Sequence, residues 1–328
     1  MLTLVTGASG HVGVNLVPQL LEQGRQVRVL VHERTTGLEG LDVQRVTGDI
    51  TDPVAVRAAC QGADVVYHLA VVISIHGSLG GLVERVNVEG TRNVVAACEA
   101  EGVRRLIHFS SIHALDPEPL DQPVDELRPL LLHARAPAYD RSKAEAENRV
   151  LQAAKSGLDA VVVSPVGIIG PRDHRPSLMG EVFQRLRHRK LPALVGGGFP
   201  WADVRDVAAA GIAAEERGRR GERYILGGHL ASVADLASLV EELSGVGAPR
   251  FTSPLWLARI GAPFMTLGAR LAGSTPLYTA ESLTTLRRYQ QVDGSKAERE
   301  LGYSPRPLRE TVRDTLQWFE QAETTTPE

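Results

Sequence analysis

The sequence predicts an α/β protein: a doubly wound parallel sheet with a smaller, mainly helical C-terminal part. Three observations predict it. Strand-like and helix-like segments alternate through the first half of the chain. A glycine-rich loop stands between the first strand and the first helix. The texture of the chain changes after Ile169. Strands and helices that alternate at this spacing belong to a parallel sheet covered by helices on both faces.

Leu2–Val5 reads as the first strand, and Val12 to Gln23 as an amphipathic helix stopped by Gly24. Gln26–Val31 is the second strand, and another strand-like run ends at Gly48-Asp49-Ile50. Asp64–Leu69, Arg105–Ser110 and Leu158–Ser164 are further β-rich runs, the first two each preceded by a helical stretch. Beyond Ile169, Gly170-Pro171 and Pro176 mark a loop, Glu181–Lys190 a basic helical stretch, and Gly196-Gly197-Gly198 a flexible turn. Ala202–Ala214 reads as a helix and Arg223–Leu226 as a strand. Glu215–Arg223 reads as a charged, solvated turn. The remainder is mainly helical, punctuated by Pro254, Pro263 and Pro276.

Bulk properties narrow the class. The chain has 328 residues, 43% of them hydrophobic and 23% charged, which suits a soluble globular enzyme. A net charge of -3 excludes a dedicated nucleic-acid binder, which is usually basic. Cys60 and Cys98 fall in no C-x-x-C pair or His/Cys cluster, so no metal site or disulfide framework is indicated. They read as buried small hydrophobes in a reducing cytosol. The first residues form a strand pattern with no basic or cleavable leader, and no apolar run is long enough to span a bilayer. A cytoplasmic protein is expected.

The loop Thr6-Gly7-Ala8-Ser9-Gly10-His11-Val12-Gly13 carries the first chemical signal. Glycines there permit a tight turn and let the backbone approach a pyrophosphate. The helix N-terminus that follows offers unpaired N–H groups and a positive dipole end. Gly7, Gly10 and Gly13 are spaced G-x-x-G-x-x-G, directly after a strand and into a helix, the context of a Rossmann dinucleotide site. Ser9, His11 and Val12 complete the expected contacts. Asp49 suits the adenine amino group or, equally, a helix cap before Pro53; Ile50 follows it. Leu69, Ala70 and Val71 lie at the carboxyl edge, where such sheets bind ligands, while His68 reads as a satisfied core histidine. The nucleotide part is expected over 1–168, with 203–229 returning to it, and a substrate part over 169–202 and 230–328.

NAD is usually held by an acid at the end of the second strand. Here that strand ends in Val31, followed by His32-Glu33-Arg34. Arg34 suits a 2′-phosphate and Glu33 suits ribose hydroxyls. The residues lean to NADP over NAD.

Tyr139 and Lys143 are four apart, one turn on one helix face, with Pro137 at the start and Ala144-Glu145-Ala146-Glu147 favouring helix. An ammonium beside a phenol favours the phenolate and lowers its pKa, giving a proton donor and acceptor. Ser110-Ser111 ends a strand at the same sheet edge, where a hydroxyl can bond a substrate oxygen.

With these residues in place, the chain resembles an extended short-chain dehydrogenase/reductase, of the epimerase/dehydratase superfamily and its dihydroflavonol-4-reductase-like group. The likeness also rests on Asn87-Val88-Glu89-Gly90-Thr91, Ser164-Pro165, Ile169-Gly170-Pro171, Asp203-Val204-Arg205-Asp206-Val207, and Ser295-Lys296-Ala297 through Glu300-Leu301-Gly302-Tyr303. The resemblance implies Ser111 as the catalytic serine, Tyr139 as acid/base, and Lys143 as the residue that holds the nicotinamide ribose. It sets Pro165 and Ile168 against the nicotinamide and Asn87 near the site, where helix capping is an equal role for it. It also implies a homodimer. Two positions depart from the pattern. His32 stands where relatives often carry arginine. Ile112-His113 replaces the Asp-Glu pair of sugar dehydratases, which disfavours dehydration; His113 reads as an ordinary loop histidine.

Three functions follow. The first is reduction of an aldehyde or ketone by hydride transfer. The alternative is epimerisation of a sugar nucleotide with tightly held NAD, its diphosphate gripped by Arg172, Arg175, Arg185 or Arg187, each of which also suits solvated surface. The third, a non-catalytic cofactor sensor, has no need of Ser111, Tyr139 and Lys143. The apolar segment Phe251–Leu277, with Trp256 and Phe264, reads as a cover for a hydrophobic substrate or as core.

Overall fold

A computed structural model describes the chain except for Arg34, Pro192, Trp256, residues 258–279 and residues 326–328. The strands β1 (Leu2–Thr6), β2 (Gln26–Val31), β3 (Val43–Thr47), β4 (Val65–His68), β5 (Arg105–Phe109), β6 (Ala160–Pro165) and β10 (Arg223–Leu226) form one sheet in the order β10-β6-β5-β4-β1-β2-β3. Every pair in it is parallel. That is the doubly wound order, and the crossover direction reverses between β1 and β4, where a crevice opens at the carboxyl edge.

Strands β4, β5, β6 and β10 are buried at nearly every position because both faces are covered, whereas β3 at the edge is largely exposed. On one face Val5, Val29, Tyr67, Ile107 and Val163 pack against Leu16, Val17 and Leu20 of α1 (His11–Glu22) and Val207 and Ala208 of α7 (Val204–Arg217). On the other, Leu4, Val66, Leu106 and Val162 meet α2 (Pro53–Cys60), α4 (Gly90–Ala100) and α5 (Ala138–Ser156). Cys60 and Cys98 lie in that second layer, both buried.

Two helix starts differ from the sequence expectation. The run at Ala202 belongs to β9 (Gly198–Asp203), which also absorbs the third glycine of the expected turn. The helix begins only at Val204 because the Asp203 carboxylate accepts the Arg205 N–H at 2.8 Å. Likewise α6 (Leu178–Arg187) starts before Glu181, capped by the Ser177 hydroxyl on the Gly180 N–H at 3.1 Å.

The charged turn Glu215–Arg223 is the larger correction. Glu215 is buried and takes hydrogen bonds from the Tyr67 hydroxyl at 2.5 Å and Arg104 at 3.0 Å, with Arg25 paired to it as well. Arg223 is buried against Glu147 of α5. Tertiary partners, brought in by the strand order, pay for burying both charges.

The smaller sheet is β11 (His229–Ser232), β9 and β7 (Gly167–Ile169). Around it lie α6, α8 (Val233–Ser244), α9 (Ala280–Arg288), α10 (Ser295–Leu301) and α11 (Leu308–Thr325). Among the described residues no helix is long and apolar enough to cross a membrane. The apolar segment is described only as far as Leu255 and at Leu257; Trp256 and Phe264 lie outside the described residues.

Candidate active site

The carboxyl edge of the sheet gathers most of the sequence-predicted residues. Gly7 follows β1 with φ +69°, a left-handed turn that favours glycine. A Cβ there would meet the Ala70 nitrogen at 2.6 Å, so only a bare backbone lets this loop lie against the end of β4. Gly13 is equally constrained: its Cβ would meet the carbonyl oxygens of Gly7 and Ala8, both at 2.5 Å. Gly10 is the N-cap of α1 and supplies no side-chain cap, so the first N–H groups of the helix face the crevice without a side-chain acceptor. A dinucleotide pyrophosphate fits that cradle.

The neighbours of the loop divide between cradle and scaffold. Ser9 is half-buried and Val12 packs on the core. His11 donates through Nε2 to the Pro171 carbonyl at 3.0 Å, and Asn15 reaches the same carbonyl at 3.2 Å. His11 therefore ties α1 to the loop after β7.

At the far end, His32 stands exposed with Nε2 3.5 Å from Oδ2 of Asp49. Arg34 lies outside the described residues. Asp49 is not the cap of α2; Asp52 is, accepting the Val54 N–H at 2.9 Å. Asp49 instead accepts the N–H and hydroxyl of Thr51, both at 2.8 Å. The Thr51 N–H bond is the main reason its carboxyl sits below the usual range, against some burial and helped by the Thr51 hydroxyl and His32. Ile50 turns its side chain into the core beneath Gly90, and its carbonyl takes Asn93 at 3.1 Å.

The end of β4 is set by a chain of hydrogen bonds. The Leu69 N–H donates to the Thr6 carbonyl at 3.1 Å and the Ala70 N–H to the Thr6 hydroxyl at 3.3 Å. That hydroxyl donates to Nδ1 of His68 at 2.7 Å. His68 Nε2 donates to Thr91 at 2.9 Å, whose hydroxyl donates to the Asn87 carbonyl at 2.6 Å. His68 is thus a satisfied core histidine; burial, with Lys143 nearby, pushes it down to about 3. Val71 lies just beyond, half-buried. Asn87 caps no helix: it sits inside a π turn, Arg85–Glu89, and clamps both backbone groups of Val72, at 2.8 and 3.0 Å. Its amide also reaches Ser142 at 2.9 Å, joining this loop to α5.

Pro165 and Ile168 lie at the end of β6 and in β7; Ile168 packs on the core.

Ser111, Tyr139 and Lys143 come together as predicted. Ser111 follows β5, and its hydroxyl accepts the His113 N–H at 3.2 Å. It lies near enough to the Tyr139 phenol to favour the phenolate. Lys143 is buried one turn further along α5 and donates to the Phe109 carbonyl at 2.7 Å. The expected sign of the phenol shift is corrected here. Burial dominates and pushes Tyr139 up to about 12, with Ser111 pulling down and Asp140 pushing up. The same burial pushes Lys143 down to about 8, resisted by Glu147. For the phenol, desolvation outweighs the pull of Ser111.

Sequence reasoning missed two supports. Glu147, read only as a helix former, accepts the Ser110 hydroxyl at 2.5 Å and anchors α5 to Arg223. His113, read as an ordinary loop histidine, sits 5.8 Å from the Tyr139 ring, between Phe199 and Tyr289. No local pattern marks it, because Asp140, its nearest charged neighbour, is on another element.

The proposed arginine grip is not assembled. Arg172 reaches the Val14 carbonyl at 3.3 Å, Arg185 pairs with Glu181 and Arg187 with Glu323; Arg175 is exposed.

Known proteins resemble this chain over nearly its whole length. Residues 3–227 match the NAD dependent epimerase/dehydratase family. The chain is 35% identical to sterol demethylase protein B of Methylococcus capsulatus, covering 98% of this chain and 99% of that one. It is 35% identical to a putative dihydroflavonol 4-reductase of Synechocystis, covering 96% and 94%. The solved structure of gox2253 is 33% identical, with a TM-score of 0.86 over 99% of each chain.

Proposed function

The chain belongs to the NAD dependent epimerase/dehydratase family, and from that premise we propose that it is an NAD(P)H-dependent reductase of a bulky, hydrophobic ketone or aldehyde. The observation that carries the reading is the Ser111–Tyr139 hydroxyl pair at the carboxyl edge, with Lys143 buried beside it. A carbonyl oxygen placed between the two hydroxyls receives two hydrogen bonds that strengthen as negative charge develops on it.

The residues that would hold the dinucleotide are Gly7, Ser9, Gly10, Val12 and Gly13 at the phosphates, His32 and Asp49 toward the adenosine, and Leu69, Ala70, Val71, Pro165 and Ile168 along its length. Tyr139 and Lys143 face the nicotinamide end. When bound, the nicotinamide supplies the hydride. Tyr139 then delivers a proton to the substrate oxygen, Ser111 fixes that oxygen, and the Lys143 ammonium compensates the phenolate left behind.

NADP is preferred over NAD in this reading because no acid ends β2 and Arg34 follows it closely. His32 adds a donor; the Asp49 carboxylate beside it works against a 2′-phosphate. The substrate is taken to be bulky and apolar from the relative named for a sterol and from the apolar segment after Phe251. Epimerisation is disfavoured because three of its four candidate arginines are engaged elsewhere. Residues 1–168 with 203–229 serve as the nucleotide part, and 169–202 with 230–328 as the substrate part. The assembly in this reading is a homodimer in the cytoplasm.

The test is to follow NADPH and NADH loss across aliphatic, cyclic and steroid ketones and aldehydes. Saturable turnover with a preference for NADPH is expected. Purified protein that retains NAD and oxidises no free reduced cofactor contradicts the reading.

A further inference from the structure

Lys143 and Glu147 stand four apart on the sheet-facing side of α5, and both are buried. They grip consecutive residues at the end of β5. The Lys143 ammonium donates to the Phe109 carbonyl at 2.7 Å, and Oε2 of Glu147 accepts the Ser110 hydroxyl at 2.5 Å. Ser111 is the next residue along. The other carboxylate oxygen, Oε1, is paired with Arg223 of β10. Arg223 also donates to the Glu126 carbonyl at 2.9 Å, and the Glu126 carboxylate accepts the Ile225 N–H at 2.9 Å, so the guanidinium is held from behind. A buried carboxylate bound at both oxygens has little freedom to turn.

The surroundings of Lys143 make that carboxylate matter. From the sheet, His68 of β4 and His108 of β5 face it. Burial first, and then the Lys143 ammonium, push both imidazoles down, which leaves them neutral. Tyr139, one turn back, is pushed up by burial and is neutral as well. Asp140 faces His113 instead. Arg92 and Glu99 of α4 line a groove with Glu145 and Arg149, which lie on the opposite side of α5 from Lys143. Arg223 lies beyond Glu147, paired to it. Among the described residues Glu147 is thus the anionic side chain that acts on Lys143, and it favours the ammonium against burial.

We propose that Glu147 is a positioning residue for reduction: it keeps Lys143 in its ammonium form and, through Ser110, fixes the end of β5 from which Ser111 reaches the substrate. It touches neither substrate nor cofactor and acts through these two neighbours. The charge matters because the ammonium compensates the phenolate left when Tyr139 gives up its proton. Without the carboxylate, burial is unopposed and the amine loses its proton at lower pH. The alkaline limit of activity is then set from behind the cleft, by the contact between α5 and β10. The inference rests on the reductase reading for the role it gives Lys143.

The experiment compares the full chain with Glu147→Gln, Glu147→Asp and the double variant Glu147→Gln/Arg223→Met, which leaves no unpaired guanidinium in the interior. One arm follows kcat/KM for NADPH-dependent reduction of the best ketone of the panel across the alkaline range. The other needs no substrate: urea unfolding of each protein beside its Lys143→Met counterpart locates the pH at which the buried amine begins to add stability. In both variants that carry Gln, the alkaline limb and that onset should move down by about one pH unit or more. Above the wild-type limb, activity relative to its plateau is then at least about tenfold lower. Glu147→Asp, which keeps the charge, should return both toward wild type. An onset that does not move overturns the inference. So does an unmoved limb in protein that reduces ketones, with kcat lowered equally at every pH; the reductase reading then stands. Wild-type protein that turns over no ketone overturns the reductase reading, and the unfolding arm still decides whether Glu147 holds the charge on Lys143.

Discussion

Replacing Lys143 by methionine changes how stability depends on pH, and the size follows from its burial. The ammonium is 4% exposed and pushed down from 10.5 to about 8. Below about pH 8 the amine is charged in the folded and unfolded chain alike. Above about 10.5 it is neutral in both. Between the two, unfolding takes up a proton, so rising pH favours the folded state. The gain through that window is about 3 kcal/mol. Lys143→Met also loses the hydrogen bond to Phe109, but that loss persists whether the amine is charged or not. The pH-dependent part is therefore the clean quantity. Urea unfolding of both proteins, without cofactor, at pH 7 and pH 10 should show the wild type gaining about 2–3 kcal/mol on the variant. A difference that stays constant across that range refutes the claim that desolvation governs Lys143.

Two further substitutions test the scaffold and the cradle. Glu215→Gln leaves the buried Arg25 guanidinium without its carboxylate, Arg104 being half exposed, and should cost about 3 kcal/mol in urea unfolding; a loss under about 1 kcal/mol would mean that water satisfies Arg25. Gly7→Ala places a methyl group 2.6 Å from the Ala70 nitrogen at a left-handed φ, costing at least about 1–2 kcal/mol in strain. Titration by cofactor fluorescence should show affinity weakened at least tenfold, and wild-type affinity in that variant would remove Gly7 from the pyrophosphate site.

The parts of the fold that local pattern controls were legible in the sequence. β2 was bounded correctly because the alternating Val27, Val29 and Val31 follow soon after Gly24, and β10 because Arg223–Leu226 lies between glycines. The glycine loop and the Tyr139–Lys143 spacing were legible for the same reason: each is a short-range geometric requirement. What failed depended on partners distant in sequence. Glu215 and Arg223 look solvated until the strand order brings Arg25, Arg104 and Glu147 to them. His113 looks ordinary until Asp140 and Tyr289 close around it. The sign of the Tyr139 shift needed the balance of burial against charge, which spacing alone does not contain.

The central claim is that Tyr139 is the proton donor of a carbonyl reductase. Steady-state NADPH oxidation with the best ketone of the panel, by wild type and Tyr139→Phe side by side, tests it most directly. The expected result is that kcat falls about 10²–10⁴-fold while cofactor affinity stays within about twofold. A Tyr139→Phe protein that keeps more than about a tenth of wild-type kcat contradicts it.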